Sequence, residues 1–502
     1  MPKIMRKITK KMRMNEEKGN RNYLQELVED GVITPFSNPK NEFFCSISTD
    51  GVTKNYLLSG SSFRVAFKSV YKKYTGEIIN DNQYKYMFDE LEVMAFENKL
   101  SYMLSNRICS HDNAILYDLS ESENLCMKIE GGKYKIVQTP KMLFKRTNIM
   151  ADQVKPDFSV DETSLSKMLK KHLNIPNKKL RDLYSVWLVT CFFPDIQHMI
   201  LAVYGEKGSS KSTILARTVQ IIDPVIKGAE LNSIPKKSDL GLRLNASLVS
   251  AFDNVSQSDL RNLHDLFCQS VTGGMEPKRM LYKDTDLVTT DIKSIVLLNG
   301  TELVISRSDL MERTILLPTK KLKAENIRNE NEMESAFRAE LPRILGACLK
   351  LVAKASNDTV PITTGHKTRI ASFYDTAILV GRAMGFEDEY TDGLLMMNGK
   401  RGNQETLKND VIVECLLILI GEEREYKCSM TNLLSKLKEI GKLYNIPLSE
   451  FPALSNKLRS RLDRIQSNLK EEYGITYSIH NIGKYKEIRF IQDKDTCRTD
   501  DV

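Results

Sequence analysis

Residues 199–219 read MILAVYGEKGSSKSTILARTV. An apolar run, Ile200 to Tyr204, leads to Gly205, and Lys211, Ser212 and Thr213 stand where a turn becomes a helix. That order suits a loop that holds phosphate. Glycines let the backbone curl, main-chain N–H groups converge on an anion, and the helix adds its positive amino end. The expected nucleotide contacts run through Gly205, Glu206, Lys207, Gly208, Ser209, Ser210, Lys211, Ser212 and Thr213. Lys211 would reach the β- and γ-phosphates of ATP, and the Ser212 hydroxyl would hold Mg²⁺. One position departs from the usual G-x-x-x-x-G-K-[ST]: Ser210 stands in the slot of the second glycine. A Cβ there crowds the backbone approach to phosphate, and Gly208 offers the compensating freedom.

Downstream, SLVSAFDNV (247–255) is an apolar strand pattern ending in Asp253. A carboxylate at the carboxyl end of a strand beside a phosphate loop is placed to hold Mg²⁺, so Ser212 and Asp253 form the expected metal pair. Asn254 stands where a second carboxylate is common; an amide positions water but takes no proton. A third strand, 291–300, ends in Asn299, a group suited to hydrogen-bond a γ-phosphate or the attacking water. RSDLMERTILLP (307–318) places Arg313 just before another short strand, with Arg307 as the competing cation for a neighbouring subunit's phosphate. Between Asp253 and Asn299, Gly273-Gly274 and two short strands around Lys283-Asp284 read as a hairpin made basic by Lys278, Arg279 and Lys283. Such a hairpin suits a nucleic-acid backbone.

These groups need a scaffold. Strand–helix alternation over 199–318 predicts a parallel sheet, and 330–390 reads as mostly helical. Before it, 22–150 predicts a mixed α+β domain. Its strands lie at 43–47 and 54–58 around Asp50-Gly51, its helices at 61–74 and 83–97, and three more strands at 114–117, 125–129 and 133–137. The stretch 148–158 reads as a linker. The ATPase core is expected over 160–390 and a last domain over 405–492, followed by a charged tail, 493–502. The last domain predicts three helices and two strands, the order of a winged helix. Leu454, Leu458, Leu462, Ile465 and Leu469 make an apolar stripe on its third helix, with Lys457, Arg461 and Arg464 mostly off it, and Lys484 and Lys486 on the wing. These cations are the expected duplex DNA contacts.

Composition narrows the class further. A net charge of +8 tilts the chain toward polyanions, and the first 21 residues form a basic arm. The nine cysteines never fall in C-x-x-C spacing, so neither a disulfide framework nor a zinc site is expected. No apolar run is long enough to span a bilayer. A cytoplasmic protein with reduced thiols is expected.

The ordered set of phosphate loop, Asp253, Gly-Gly hairpin, Asn299 and Arg313 resembles the helicase cores of superfamily three, notably the poxvirus and phage primase-helicases, and is similar to minichromosome maintenance helicases. The set also resembles replication-initiator helicases of bacterial mobile elements: phages, pathogenicity islands and cassette chromosomes. Gly208 to Thr213, Ala216-Arg217, Asp223-Pro224 and Phe252 to Asn254 match their tendencies, and 341–349 resembles their helical lid. The resemblance is good over roughly 140–380. It implies an α/β fold with an AAA+ P-loop ATPase core, in which Asn299 takes the sensor-1 position and Arg313 acts as arginine finger. It also implies a hexameric ring with single-stranded DNA in its channel, and ATP hydrolysis that drives unwinding at a replication origin. No convincing polymerase carboxylate set stands in 22–150, so these residues are expected to act as a collar or to dock a separate primase or polymerase. The other reading is an ATP-switched DNA-binding protein that marks an origin or regulates transcription without unwinding.

Overall fold

The computed structural model describes residues 23–120, 122–147, 149–260, 262–279, 287–305, 307–322, 329–364, 368–408, 410–421, 425–482 and 485–493. The basic arm, Lys283, Lys484 and all of the tail but Asp493 lie outside them.

The first unit holds helix α1 (Tyr23–Glu29), an antiparallel sheet of β1 (Ile33–Ser37), β2 (Phe43–Thr49) and β3 (Val52–Leu57), and helices α2 (Ser61–Thr75) and α3 (Asp81–Glu97). Asp50 and Gly51 both take positive φ, which closes the β2–β3 hairpin as the Asp-Gly pair predicts. Asn80 and Gln83 form a reciprocal cap at the start of α3. Leu24, Ile33, Phe63, Phe67 and Leu91 bury their side chains in a core of their own.

Strands β4 (Ile108–His111), β5 (Ala114–Ser120), β6 (Leu125–Glu130) and β7 (Lys133–Gln138) make an antiparallel meander. One of its faces belongs to the core of the central region: Tyr117, Met127 and Ile129 pack with the cluster that holds Leu188, Val219 and Leu298. The segment expected as a linker is docked instead. Ala151 N–H donates to Pro224, Gln153 N–H to Leu119 and Asp157 N–H to Pro342. A Cβ on Gly346 would stand 2.0 Å from the Asp157 carbonyl, so only glycine admits this close pass.

The central region starts with α4 (Leu165–His172) and α5 (Lys178–Thr190). Next come β8 (Ile200–Tyr204), α6 (Lys211–Ile222), α7 (Lys237–Leu244), β9 (Val249–Phe252), α8 (Gln257–Leu260) and α9 (His264–Thr272). The hairpin strands β10 (Gly274–Arg279) and β11 (Leu287–Ile292) precede β12 (Ile295–Gly300), α10 (Ser308–Met311) and β13 (Thr314–Pro318). The sheet is parallel, in the order β13-β8-β12-β9. β12 is buried throughout and β8 nearly so, as continuous Val/Ile/Leu runs in a two-face-covered parallel sheet should be. Beyond β9, Asn232 bridges Phe252 in parallel. Helices α11 (Glu330–Ser356), α12 (Ala371–Ala383) and α13 (Asp388–Lys408) follow, and α13 runs on into the last unit.

That unit holds α14 (Val411–Ile420), β14 (Glu425–Ser429), α15 (Met430–Leu443), α16 (Ser455–Tyr473), β15 (Ile475–Ile482) and β16 (Tyr485–Gln492), with sheet order β14-β16-β15. Asp410 caps α14, Ser429 caps α15, and Gly474 ends α16 in the left-handed conformation. Leu458, Leu462, Ile465 and Leu469 enter its core, while Leu454 stays exposed. Sequence periodicity missed α1, β1, β4 and β14. Each is short, and pairing with a neighbouring strand rather than its own pattern sets β1, β4 and β14. Among the described residues no helix is long and apolar enough to cross a membrane.

Candidate nucleotide site

β8 delivers the chain to Gly205, whose φ is 146°. A Cβ there would lie 2.4 Å from the Thr319 carbonyl, so the loop leaves the sheet through a position only glycine fills. Gly208 also takes positive φ. Ser210 does too, at 62°, and sits at the amino cap of α6 with no capping hydrogen bond from its side chain. The serine thus adopts the backbone conformation that the missing glycine would supply. The Lys211 ammonium donates to the carbonyls of Gly205 at 2.8 Å and Glu206 at 2.9 Å. Partial burial lowers its pKa, and Asp253 works against that shift.

The strand order brings Asp253 to the foot of this loop. Ser212 Oγ donates to Asp253 Oδ1 at 2.8 Å, and Asn299 Nδ2 donates to the same oxygen at 2.5 Å. Asn299 Oδ1 accepts from the Asn254 N–H at 2.7 Å. One buried amide at the end of β12 therefore orients both residues that follow β9. Asn254 itself has φ 54°, a region asparagine tolerates better than most residues. The donor set fits an ATP–Mg²⁺ pair: a hydroxyl and a carboxylate oxygen in contact, with a cation and a helix amino end beside them.

Other supports carried no legible signal. Asn174 Nδ2 donates to Ser209 O at 3.0 Å and to Lys320 O at 2.8 Å, clamping the loop. Thr319 Oγ1 meets Ser209 Oγ at 2.7 Å. Both act across long sequence separations and sit in no motif. Against the first turn of α6 lies a cavity of about 690 Å³, lined by Asn174, Ile175, Pro176, Thr213, Arg217 and Met333 among others. A recess of about 330 Å³ is lined by Asn232, Asp253, Asn254 and Asp259 among others.

The two arginines stand elsewhere. Arg313 precedes Thr314, which pairs with Ile200 at the start of β8, so it lies at the amino end of the sheet, away from the loop at its carboxyl end. Its guanidinium donates to Asp309 O, and its buried Nε has no partner among the described residues. Arg307 is held by Asp309 at 2.7 Å and Asp265 at 3.1 Å. Neither arginine is in the Lys211–Asp253–Asn299 cluster of its own chain.

Of the expected DNA contacts, Lys278 and Arg279 lie on β10, which pairs antiparallel with β11 as a hairpin. Lys457 and Arg464 are exposed on α16, and Lys486 is exposed on β16. Arg461 is engaged within the chain: it pairs with Asp410 at 3.1 Å and donates to Glu450 O at 3.2 Å.

Residues 166–391 match the family of actinomycete integrative conjugative element replication proteins. That match covers the central region of the chain. Among solved structures, an active helicase described as SCCmec type IV Cch shares the fold. The TM-score is 0.51 at 12% identity, over 91% of this chain and 92% of that one. The C-terminal region of NrS-1 matches with a TM-score of 0.43 at 12% identity, over 93% of this chain and 98% of that one. A comparison with curated proteins finds no match.

Proposed function

We propose that this chain is an AAA+ ATPase that assembles as a ring, most simply a hexamer, and unwinds DNA as a replication helicase or initiator. The observation that carries the reading is the Ser212–Asp253–Asn299 contact at the carboxyl end of the parallel sheet, directly beside the Lys211 loop. In this reading the loop and Lys211 bind the triphosphate of ATP. Ser212 and Asp253 hold Mg²⁺, which when bound would offset phosphate charge. Asn299 orients Asp253 and, through Asn254, the attacking water. Asn174 and Thr213 border the space for the base. Arg313 serves the neighbouring subunit's nucleotide, which agrees with its place at the amino end of its own sheet, away from its own chain's loop. The β10–β11 hairpin, with Lys278, Arg279 and Lys283, contacts single-stranded DNA in the channel. The last unit is a winged helix whose Lys457, Arg464, Lys484 and Lys486 meet duplex phosphate, while Arg461 serves to fasten α16 to the start of α14.

The test is the ATPase rate with and without single-stranded DNA, in the wild type and in Lys211→Ala. DNA should stimulate turnover strongly, and the substitution should abolish it. A second reading, an ATP-switched DNA-binding protein without unwinding, draws on Asn254, which positions water but cannot accept its proton. ATP binding with negligible turnover, indifferent to DNA, would favour that switch and sink the motor.

A further inference from the structure

The connection between α15 and α16, residues 444–454, is pinned from within. Phe451 is buried against Gly441, where a Cβ would stand 2.3 Å from the ring. Ile446 N–H donates to Gly441 O at 2.8 Å, and Asn445 takes positive φ to make that return possible. With these groups fixed inward, four large apolar residues, three of this connection and the last residue of α15, are exposed. Leu443 is 80% exposed, Tyr444 58%, Leu448 51% and Leu454 58%. Nothing in the unit's own packing accounts for them.

Their surroundings select the partner. Between 430 and 464, with Arg461 paired to Asp410 and Arg459 to Asp463, five Lys and Arg remain (Lys436, Lys438, Lys442, Lys457 and Arg464) against Glu439 and Glu450. Lys442 and Lys457 stand exposed next to Leu443 and near Leu454 in sequence. Surfaces that dock proteins are depleted of lysine at their centres. An aromatic ring and aliphatic groups among lysines suit unpaired bases, which stack on the ring or are wedged apart while the cations meet phosphate. We propose that Leu443, Tyr444, Leu448 and Leu454 form a wedge for unpaired DNA bases at the junction of duplex and single strand. The proposal rests on the DNA-binding reading of the last unit and adds to it a site for the unpaired strand.

Tyr444→Trp in the full chain supplies the probe. The one native tryptophan, Trp187, is fully buried, so the new indole reports alone on the surface. Single-stranded oligonucleotide should quench its emission, and blunt duplex of the same length should not. The double variant Tyr444→Ala/Leu448→Ala should weaken binding to forked DNA about tenfold, with blunt-duplex affinity and the salt slope of binding unchanged, because the lost contact is stacking and not charge. Equal losses on fork and duplex, or no loss on either, would overturn the wedge. So would a smaller assembly in sedimentation, which would mark the patch as a contact between copies of the chain. If the wild type bound no DNA at all, the DNA-binding reading itself would fall, and that result is distinct from the others.

Discussion

Ser210 and Asn254 are the two residues at which the site departs from the commonest phosphate-loop grammar, and both take left-handed backbone. For Ser210 this has an energetic consequence. A residue with a Cβ in that conformation carries about 1–2 kcal/mol of strain, and glycine gives back about 0.5–1 kcal/mol through the freer unfolded chain. The Ser210 side chain makes no capping bond that would be lost. Ser210→Gly should therefore stabilise the central region by about 0.5–1 kcal/mol, read as a rise in thermal midpoint, with ATP binding retained. A fall in the midpoint would mean that the hydroxyl has a structural role in the loop.

At the scale of elements, the phosphate-loop helix α6 is fastened at its far end by the meander. Tyr117 OH donates to Ile222 O at 2.8 Å and Gln153 Nε2 to Ile221 O at 3.1 Å, satisfying carbonyls that a helix end leaves open. Arg107 Nε meets Asp223 Oδ1 at 2.8 Å, with both side chains almost wholly buried. Asp223 Oδ2 accepts from the N–H of Leu248 at 2.7 Å and of Val249 at 3.2 Å, where β9 begins. One ion pair thus joins the meander, the helix behind Lys211 and the strand ahead of Asp253. Breaking a buried pair strands a charge, so Arg107→Ala should cost about 3–5 kcal/mol. Urea unfolding followed by circular dichroism measures it. A loss under about 1 kcal/mol would mean that water replaces the guanidinium and that the pair is not what couples these elements.

At the scale of the whole molecule, the site as proposed is incomplete within one chain. The cluster of Lys211, Ser212, Asp253 and Asn299 gathers at the carboxyl end of the sheet, and Arg313 stands at the amino end with an Nε that has no partner among the described residues. If rings form, Arg313→Ala and Lys211→Ala should each be inactive alone. Mixing the two should restore part of the ATPase activity, because some interfaces then pair an intact loop with an intact arginine. An inactive mixture in which the two variants demonstrably co-assemble would remove Arg313 from the interface and leave Arg307, already tied to Asp265 and Asp309, to be tested the same way.

What the sequence alone determined is what short-range chemistry encodes. The strand–glycine–lysine–helix order fixes the loop, an apolar strand ending in Asp253 fixes one carboxylate, and Asp50-Gly51 and Ser429 fix a turn and a cap. Each of these is a property of a few consecutive residues. The tertiary structure alone decided which strand lies between β8 and β9. It thereby set Asn299 against Asp253, although the two are 46 positions apart. It also gave Asn174 and Thr319 their hold on the loop, docked 151–157 along the helix at Gly346, placed the meander in the central core and turned Arg461 inward to Asp410. Hydrophobic period reports which face of a segment is buried, and it is silent on what that face meets. The partner is chosen by how all the faces pack at once.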